Sequence, residues 1–219
     1  MAIKPNQLSK KKLQQIWAQV PADYYDQGIQ NNLLQKLWHT QKLNQILKLL
    51  PANPKKVLDV GCSSAVLTAS IAETLPESRV VGLDSYKDAI DFARSKYPHI
   101  KFAVADAHRL PFKKNSFDLI ICTETLEHLI NPKQALMEIK RVLNNKGVAI
   151  ISMDTGSLMF RIIWYFWTKT KGKVWENAHL HEFNSKILEE LIKEAGFKIK
   201  KKIYSHLGMA ITFLAQTKS

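Results

Sequence analysis

The chain has 219 residues, 46% of them hydrophobic, which is enough for one substantial core but too few for two full-sized domains. Its 32 lysine and arginine residues against 19 aspartate and glutamate residues give a net charge of +13, which suits nucleic acid, an anionic membrane or acidic metabolites, and equally a set of solvated lysines. Two cysteines offer no disulfide framework, no apolar run approaches the roughly 18 residues of a membrane span, and the N-terminus is polar, so we expect a soluble, cytoplasmic protein.

The first quarter of the chain has a helical pattern. Residues 1–50 are rich in Gln, Leu and Lys at helical spacing, and Pro51 and Pro54 end the stretch. We therefore predict a helical N-terminal cap over residues 1–54 and a single domain over residues 55–219.

From Lys55 onward, short apolar runs alternate with helical segments. The runs are KKVLDV, RVVGLD, IKFAVAD, FDLIICT and GVAIISM, and their continuous hydrophobicity predicts a parallel sheet buried on both faces. Helices are predicted at 64–75, 86–96, 132–143 and 185–195, the third opened by an Asn-Pro pair and the last closed by Gly196. Two further strand-like runs, KIKKKIY and GMAITFLAQ, follow the last helix, which a simple βα repeat does not predict.

The first predicted strand runs into a turn of small residues, VLDVGCSSAVLT at residues 57–68. A strand that leads through a glycine turn to a helix N-terminus is typical of nucleotide sites. The dinucleotide fingerprint requires glycine at its first, third and sixth positions, which here hold Gly61, Ser63 and Val66. The turn therefore favours a nucleotide site and disfavours a nicotinamide dinucleotide.

An acidic residue stands at the carboxyl end of each of the first three predicted strands. These residues are Asp59, Asp84 and Asp106, and an open parallel sheet places its ligand crevice at those strand ends. Asp84 is spaced to accept hydrogen bonds from ribose hydroxyls, Asp106 to accept from an amino group such as that of adenine, and Asp59 to orient the turn or a ligand ammonium. Three such acids behind a glycine turn indicate a site more strongly than any one of them.

Five segments resemble, in order and spacing, the motifs of class I S-adenosylmethionine-dependent methyltransferases. They are VLDVGCSSAVLT, VVGLDSY, VADAHRLPF, FDLIICTETLEHL and KRVLNNKGVAII, and they span residues 55–153. The resemblance implies an α/β, Rossmann-like, doubly wound sheet of seven strands with a reversed last strand, and S-adenosylmethionine as the cofactor. It also implies a set of cofactor-binding residues: Asp59, Gly61, Cys62 and Ser63 near the methionine portion, Asp84 at the ribose, Ser85 and Tyr86 beside the adenine, Asp106 and Ala107 at its polar edge, and Cys122 and Thr123 beneath the transferred methyl group.

The turn departs from the family pattern at two positions. Ser63 and Ala65 stand where the family commonly has glycine. Both side chains are small, so the backbone can still approach a ligand, although with less freedom at positive φ.

The segment TETLEHL follows the fourth predicted strand and supplies three candidate catalytic or metal-binding residues. Glu124, Glu127 and His128 lie three and four residues apart, so helical geometry would place them on one face. The segment is similar to one in ubiquinone-biosynthesis O-methyltransferases, where such a trio can hold a divalent cation. LEHL-like segments also occur in the wider family without metal, so a general-base role for His128 and a packing role stay open. We take His128 as the catalytic candidate and predict no metal.

Residues 156–182 form an insertion after the fifth predicted strand. Leu158–Trp167 contains nine apolar residues and one arginine, and Lys169, Lys171 and Lys173 follow it. The segment is too short to span a bilayer, so residues 158–173 predict peripheral membrane contact, the roof of an apolar pocket, or a helix packed on the cap. Further pocket candidates are the polar groups His179 and His181 in the insertion and, in the cap, the ring-bearing side chains of Tyr24, Tyr25, Trp38 and His39.

These features favour methyl transfer from S-adenosylmethionine to a small or lipid-like acceptor. An RNA or protein methyltransferase is the alternative favoured by charge, and a non-catalytic cofactor-binding protein is a third. Enzymes that methylate amino groups of nucleic acid often carry Asn or Asp followed by Pro-Pro and an aromatic residue after the fourth strand, where this chain has CTETLEH. Nucleic acid is therefore the less favoured acceptor.

Overall fold

The computed structural model describes residues 17–170, 172–175 and 179–218, so the first part of the predicted cap lies outside the described residues. The helices are α1 (Tyr24–Asn31), α2 (Leu33–Leu47), α3 (Val66–Thr74), α4 (Lys87–Lys96), α5 (Pro132–Val142), α6 (Leu158–Thr168) and α7 (Ser185–Glu194). The strands are β1 (Lys56–Val60), β2 (Arg79–Asp84), β3 (Lys101–Val104), β4 (Phe117–Thr123), β5 (Leu143–Asp154), β6 (Phe197–Ser205) and β7 (Ala210–Thr217). Short 3₁₀ turns cover Leu126–His128, Lys173–Trp175 and His206–Gly208.

The seven strands form one sheet in the order β3-β2-β1-β4-β5-β7-β6. Strand β7 runs antiparallel to both of its neighbours, whereas the pairs among β1 to β5 are parallel. The predicted seven-stranded sheet with a reversed last strand is confirmed, and the reversal explains the two strand-like runs at the end of the chain. Because the strand order changes direction between β1 and β4, a crevice opens at their carboxyl ends.

Both faces of the sheet are buried, as the continuous apolar runs predict. Along β1 and β4 the side chains alternate between two cores: Leu58 and Ile120 pack on the face covered by α5 and α7, and Val57 and Leu119 on the face covered by α2 and α3. This alternation follows from the two-residue period of a strand. The helices therefore hold the sheet rigid on both sides, and its strand ends can position a site.

Local capping residues set the ends of the helices. The Asn131 side chain accepts a hydrogen bond from the Gln134 amide before α5, and Gly196 follows α7 at a φ of 90°. Both were predicted from the sequence, because Asn satisfies an unpaired amide at a helix start and glycine tolerates the left-handed conformation at a helix end.

The N-terminal helices pack against the site through a largely buried ion pair. Lys42 of α2 lies with its Nζ 2.9 Å from a carboxylate oxygen of Glu124, just beyond β4, and Ile46 of the same helix is fully buried in the core. A second ion pair joins Lys96 of α4 to Asp26 of α1. These contacts hold α1 and α2 against the sheet and its helices, and the boundary between cap and domain at residue 54 stays a prediction.

The predicted insertion contains α6 and the turn Lys173–Trp175, placed between β5 and α7. Helix α6 has 11 residues. Within the described ranges, the helices all fall short of the length and apolar character needed to cross a bilayer.

Candidate functional site

The turn between β1 and α3 has an unusual backbone. Gly61, Ser63 and Ala65 have positive φ angles of 81°, 46° and 66°. At Gly61 a Cβ would lie 2.2 Å from the Thr125 hydroxyl oxygen, so only glycine fits there. The two non-glycine residues cost about 1–2 kcal/mol each in this conformation, which the sequence suggested through its missing glycines.

Hydrogen bonds from the end of β2 hold this turn in place. The Leu83 carbonyl accepts from the amides of Gly61 and Cys62 at 2.7 and 3.0 Å. The two carboxylate oxygens of Asp84 accept from the amides of Ser63 and Tyr86, both at 2.9 Å. Burial raises the pKa of Asp84, and these backbone hydrogen bonds act against that rise. Asp84 therefore fixes the turn and still offers free lone pairs to a ligand.

A cavity of about 470 Å³ lies at the carboxyl ends of the central strands. It brings together most of the residues predicted to bind a cofactor, namely Asp59, Gly61, Cys62, Ser63, Asp84, Ser85, Tyr86, Asp106, Ala107 and Thr123. Cys122 is not part of this lining: its side chain is 2% exposed and packs in the core on the α5 side. Side chains alternate along β4, so Thr123 reaches the cavity and Cys122 turns into the core.

His108 was not singled out from the sequence, although it lines the cavity. Its Nδ1 lies 2.5 Å from Asp106 Oδ1, and its Nε2 accepts a hydrogen bond from the Asn131 amide at 3.1 Å. These contacts assign the proton to Nδ1, so the imidazole donates to Asp106 and orients its carboxylate. His108 and Asp106 are close in sequence, whereas the hydrogen bond between His108 and the Asn131 amide forms only in the folded chain.

Asp59 lines the base of the cavity and is 2% exposed. Its carboxylate accepts a hydrogen bond of 2.6 Å from the Thr68 hydroxyl in the first turns of α3. Burial raises the pKa of Asp59 from an ordinary 3.8 to about 7. This residue therefore fastens β1 to α3 beneath the turn.

The candidate residues after β4 separate into two groups. Glu124 is in ion-pair contact with Lys42, whereas Glu127 is 1% exposed and its Oε2 has no hydrogen-bond partner among the described residues. His128 lines the cavity, with its Nε2 4.0 Å from Glu127 Oε1. Burial and the nearby Glu124 and Asp154 raise the pKa of Glu127.

His179 of the insertion joins this group in place of Glu124. One ligand atom from each of Glu127, His128 and His179 lies within 4.8 Å of the others. One carboxylate and two imidazoles are a donor set that suits zinc or another transition metal better than magnesium. His179 has no partner at a recognisable spacing in the sequence, because it lies 51 positions beyond His128. The neighbouring His181 instead has its Nε2 2.9 Å from the Leu129 carbonyl oxygen.

Trp175 closes one end of the cavity by joining the cap to the insertion. Its ring centroid lies 5.5 Å from that of Tyr24, 6.0 Å from that of Tyr25 and 5.7 Å from that of His128. Tyr25 and His39 line the cavity, as the sequence suggested for the aromatic side chains of the cap. Tyr24 and Trp38 lie outside the lining and support it from behind.

A family model described as a methyltransferase domain matches residues 58–151, which hold the turn, Asp84, Asp106 and the TETLEHL segment. Residues 58–151 are therefore similar to the methyltransferase-domain family. The family and the fold imply S-adenosylmethionine as its cofactor.

Named relatives and a solved structure agree with this assignment. Demethylmenaquinone methyltransferase of Thermotoga maritima is 30% identical over 131 residues, covering 59% of this chain and 56% of that protein. Demethylmenaquinone methyltransferase of Lactococcus lactis is 26% identical over 97% of this chain and 92% of that protein. The fold matches that of a possible histamine N-methyltransferase from Thermotoga maritima, with a TM-score of 0.72 and 20% identity over 93% of this chain and 99% of that one. Other curated relatives are matched over about half of their length or less.

The cavity of the methyltransferase domain offers groups that fit S-adenosylmethionine. Ser64 lines the cavity, and its buried hydroxyl has no hydrogen-bond partner among the described residues. A buried hydroxyl without a partner is costly unless a ligand satisfies it. With the unused lone pairs of Asp84 and the bare backbone of Gly61, the cavity provides both acceptors and space for a polar cofactor.

Replacing Asp84 with Asn tests the cofactor end. We expect the affinity for S-adenosylhomocysteine to fall by about ten- to a hundredfold, because a charged acceptor of hydrogen bonds is lost from the turn and from the cavity. Isothermal titration measures the change, with Asp91→Asn on the exposed side of α4 as the matched control. An affinity within twofold of the parent in Asp84→Asn would show that this carboxylate is not a cofactor ligand.

Asp59 predicts a pH dependence of stability. Because its folded pKa of about 7 lies above the ordinary 3.8, the native state keeps a proton that the unfolded chain loses. The stability that protonated Asp59 contributes is fully present below its ordinary pKa of 3.8, and it is lost as the pH rises through the folded pKa of about 7. Urea unfolding at about pH 5 and about pH 8 should therefore show a loss of stability in the parent that is smaller in Asp59→Asn. The surface variant Asp88→Asn should keep the parent's pH dependence, and equal slopes in parent and Asp59→Asn would contradict the assignment.

Proposed function

We propose that this protein transfers a methyl group from S-adenosylmethionine to a small apolar or lipid-like acceptor that carries a hydroxyl or amine. The observation that carries the proposal is that the cavity at the carboxyl ends of the strands has one polar end and one apolar end. One end is lined by Asp84 and Asp106, while the other is walled by apolar and aromatic side chains of the cap and insertion, including Val20, Leu43 and Trp175. A polar cofactor and an apolar acceptor can therefore meet between them.

The polar end has residues suited to each part of the cofactor. We infer that Asp84 binds the ribose hydroxyls, since both of its oxygens are fixed by backbone amides and keep lone pairs directed to the cavity. Asp106, oriented by His108, would accept from the adenine amino group. Gly61 and Ser63 would line the methionine portion, where the bare backbone allows close approach.

The bound cofactor would supply an electrophilic methyl group on a sulfonium, and the protein mainly has to align the acceptor and exclude water. Trp175 and Tyr25 cover the acceptor end. Burial and the nearby carboxylates raise the pKa of Tyr25, so its phenol stays protonated and can donate a hydrogen bond to the acceptor.

His128 is the residue we assign to take the proton from the acceptor. It lines the cavity beside Thr123 and Thr125, at the end of the strand nearest the cofactor turn. Its ring lies 5.0 Å from that of His179 and 5.7 Å from that of Trp175, and Glu127 lies behind it. A general base beside the acceptor removes the acceptor's proton as the methyl group is transferred.

The identity of the relatives favours a lipophilic acceptor. Two of them are named demethylmenaquinone methyltransferases. We therefore infer the reduced, hydroxyl-bearing form of a quinone-type ring as the acceptor class of this chain, which agrees with the apolar wall of the cavity. The net charge of +13 favours RNA or protein as the alternative acceptor.

The acceptor class is tested by incubating the protein with labelled S-adenosylmethionine and separated lipid, small-molecule, RNA and protein fractions of a cell extract. We expect label in the lipid or small-molecule fraction, because the acceptor end of the cavity is apolar. Label in the RNA or protein fraction alone would replace this acceptor class with the alternative. Cofactor binding with no label in any fraction would favour a non-catalytic role.

His128→Asn tests the base, with the labelled fraction as the acceptor. We expect the rate of methyl transfer to fall by about a hundredfold or more, because proton removal is lost, while affinity for S-adenosylhomocysteine stays within twofold. His99→Asn, an exposed histidine, is the matched control and should leave both unchanged. A rate within threefold of the parent in His128→Asn would leave this residue a packing role.

The same assay after treatment with a chelator separates a base from a metal ligand. We expect the parent's rate to persist in the chelator, as a base needs no metal. A rate that is abolished by the chelator and restored by zinc, but not in a His179→Gln variant, would make Glu127, His128 and His179 a metal site instead.

A further inference from the structure

We propose that three neighbouring elements form one face that docks on an anionic lipid bilayer. The docking face consists of the first turns of α2, the outer side of α6 and the turn His206–Gly208. Its large apolar side chains are Leu33, Leu34, Leu37, Leu158, Ile162, Phe166 and Leu207. Binding to the bilayer would not require methyl transfer, so this proposal stands apart from the reaction.

Several of these apolar side chains are largely exposed to solvent. Leu34 is 72% exposed, Leu158 74%, Phe166 66% and Leu207 87%. Among the described residues, ten of the fourteen large hydrophobic side chains that are exposed belong to these three elements. Such a concentration of exposed apolar side chains on neighbouring elements marks an interaction site, because leaving it in water is unfavourable.

Trp38 brings the three elements together. It follows Leu37 in α2, and its ring centroid lies 6.4 Å from that of Phe160 in the first turn of α6. Its ring also lies 4.0 Å from that of His206, whose Nε2 is 2.9 Å from the Trp38 carbonyl oxygen. Leu207 follows directly, with a positive φ of 56° and a side chain that is almost fully exposed. The three elements that carry the exposed side chains therefore meet at a single half-buried tryptophan.

The charge of the surrounding chain indicates which partner the face fits. No aspartate or glutamate occurs in residues 27–58, 155–175 or 195–219, the three segments that contain these elements. Exposed cations occur within these segments, among them Lys36 of α2, Arg161 of α6 and Lys173 in the turn after α6. Apolar elements whose own segments carry cations and no acidic residues are complementary to a bilayer with anionic headgroups.

The geometry of α6 agrees with a position in the plane of the interface. Its 11 residues extend about 16 Å, about half of the hydrocarbon thickness of a bilayer. The aromatic residues Phe160, Trp164 and Trp167 are half-buried on its inner side, and Trp167 packs against Gly172. Ile162 and Phe166, rather than these three aromatic residues, are therefore exposed to a partner.

The inner side of α6 also connects the docking face with the cavity. Phe160 stacks on Trp164 at 5.6 Å, and Trp164 stacks on His179 at 4.6 Å, next to His128. An acceptor dissolved in the bilayer could reach the cavity along this row of rings, and that route rests on the proposed function. Attachment of the protein to the bilayer is independent of the proposed function.

Co-sedimentation with lipid vesicles tests the proposal. We expect the full-length protein to bind vesicles of phosphatidylcholine mixed with anionic phosphatidylglycerol, and to bind neutral phosphatidylcholine vesicles weakly. Binding should weaken as salt is raised, because the cations contribute through screened attraction. Equal binding to neutral and anionic vesicles, or none to either, would overturn the proposal.

The double variant Ile162→Ser with Phe166→Ser should lower the partition onto mixed vesicles by at least about tenfold, since two large apolar side chains no longer enter the interface. The matched control is Met137→Ser with Ile187→Ser, two exposed apolar residues on α5 and α7. It should bind as the parent does. Thermal unfolding and S-adenosylhomocysteine binding verify that each variant is folded.

Two other results would contradict the proposal. If the face variant binds vesicles as tightly as the parent, the bilayer contact lies elsewhere. If sedimentation velocity shows a dimer that the face variant converts to monomer, and vesicles do not bind, a second copy of the chain covers the face.

The docking proposal and the acceptor proposal can fail separately. Vesicle binding without label in the lipid fraction would support the docking face and contradict only the lipophilic acceptor.

Discussion

Three hydrogen bonds join the turn after β1 to the end of β2, and the cavity is arranged around them. The Leu83 carbonyl accepts from two amides of the turn, and the Asp84 carboxylate accepts from the Ser63 amide. Left-handed backbone at Ser63 and Ala65 costs about 1–2 kcal/mol each, and these hydrogen bonds, one of them to a carboxylate, contribute a comparable stabilisation. Because β2 holds the turn, its backbone can be left-handed at Ser63 and Ala65 without glycine at these positions. The carboxylate that holds it is also the one that faces the proposed ribose site.

The acceptor end is built differently, from contacts between parts of the chain that are distant in sequence. Lys42 of the cap pairs with Glu124 after β4, and Trp175 of the insertion touches both the cap and His128. The ion pair leaves Glu127 as the buried carboxylate behind His128, in reach of His179. Cap, strand end and insertion therefore depend on one another, and a change in any of them would reshape the acceptor end without altering the cofactor end.

The two ends of the cavity are built from different parts of the chain, which explains why the family match indicates the cofactor but not the acceptor. The match to the methyltransferase domain covers residues 58–151, which contain the cofactor turn and the strand ends. The cap and the insertion, which wall the acceptor end and carry the exposed apolar face, lie outside that range. A fold shared with many enzymes fixes where a ligand binds, whereas the appended segments decide which acceptor fits.

The sequence by itself determined the order of strands and helices, the reversed last strand through the family resemblance, and the acids at the strand ends. Those features are encoded in local periods, because a buried strand is continuously apolar and parallel strands bring their carboxyl ends to one edge. Tertiary structure alone decided that Cys122 faces the core, that Glu124 is neutralised by Lys42, and that His179 joins His128. It also decided which side of α6 is exposed, since an almost uniformly apolar helix has no pattern that marks its inner face. Such pairings join residues about 50 to 80 positions apart, and only the packing of the whole chain brings them together.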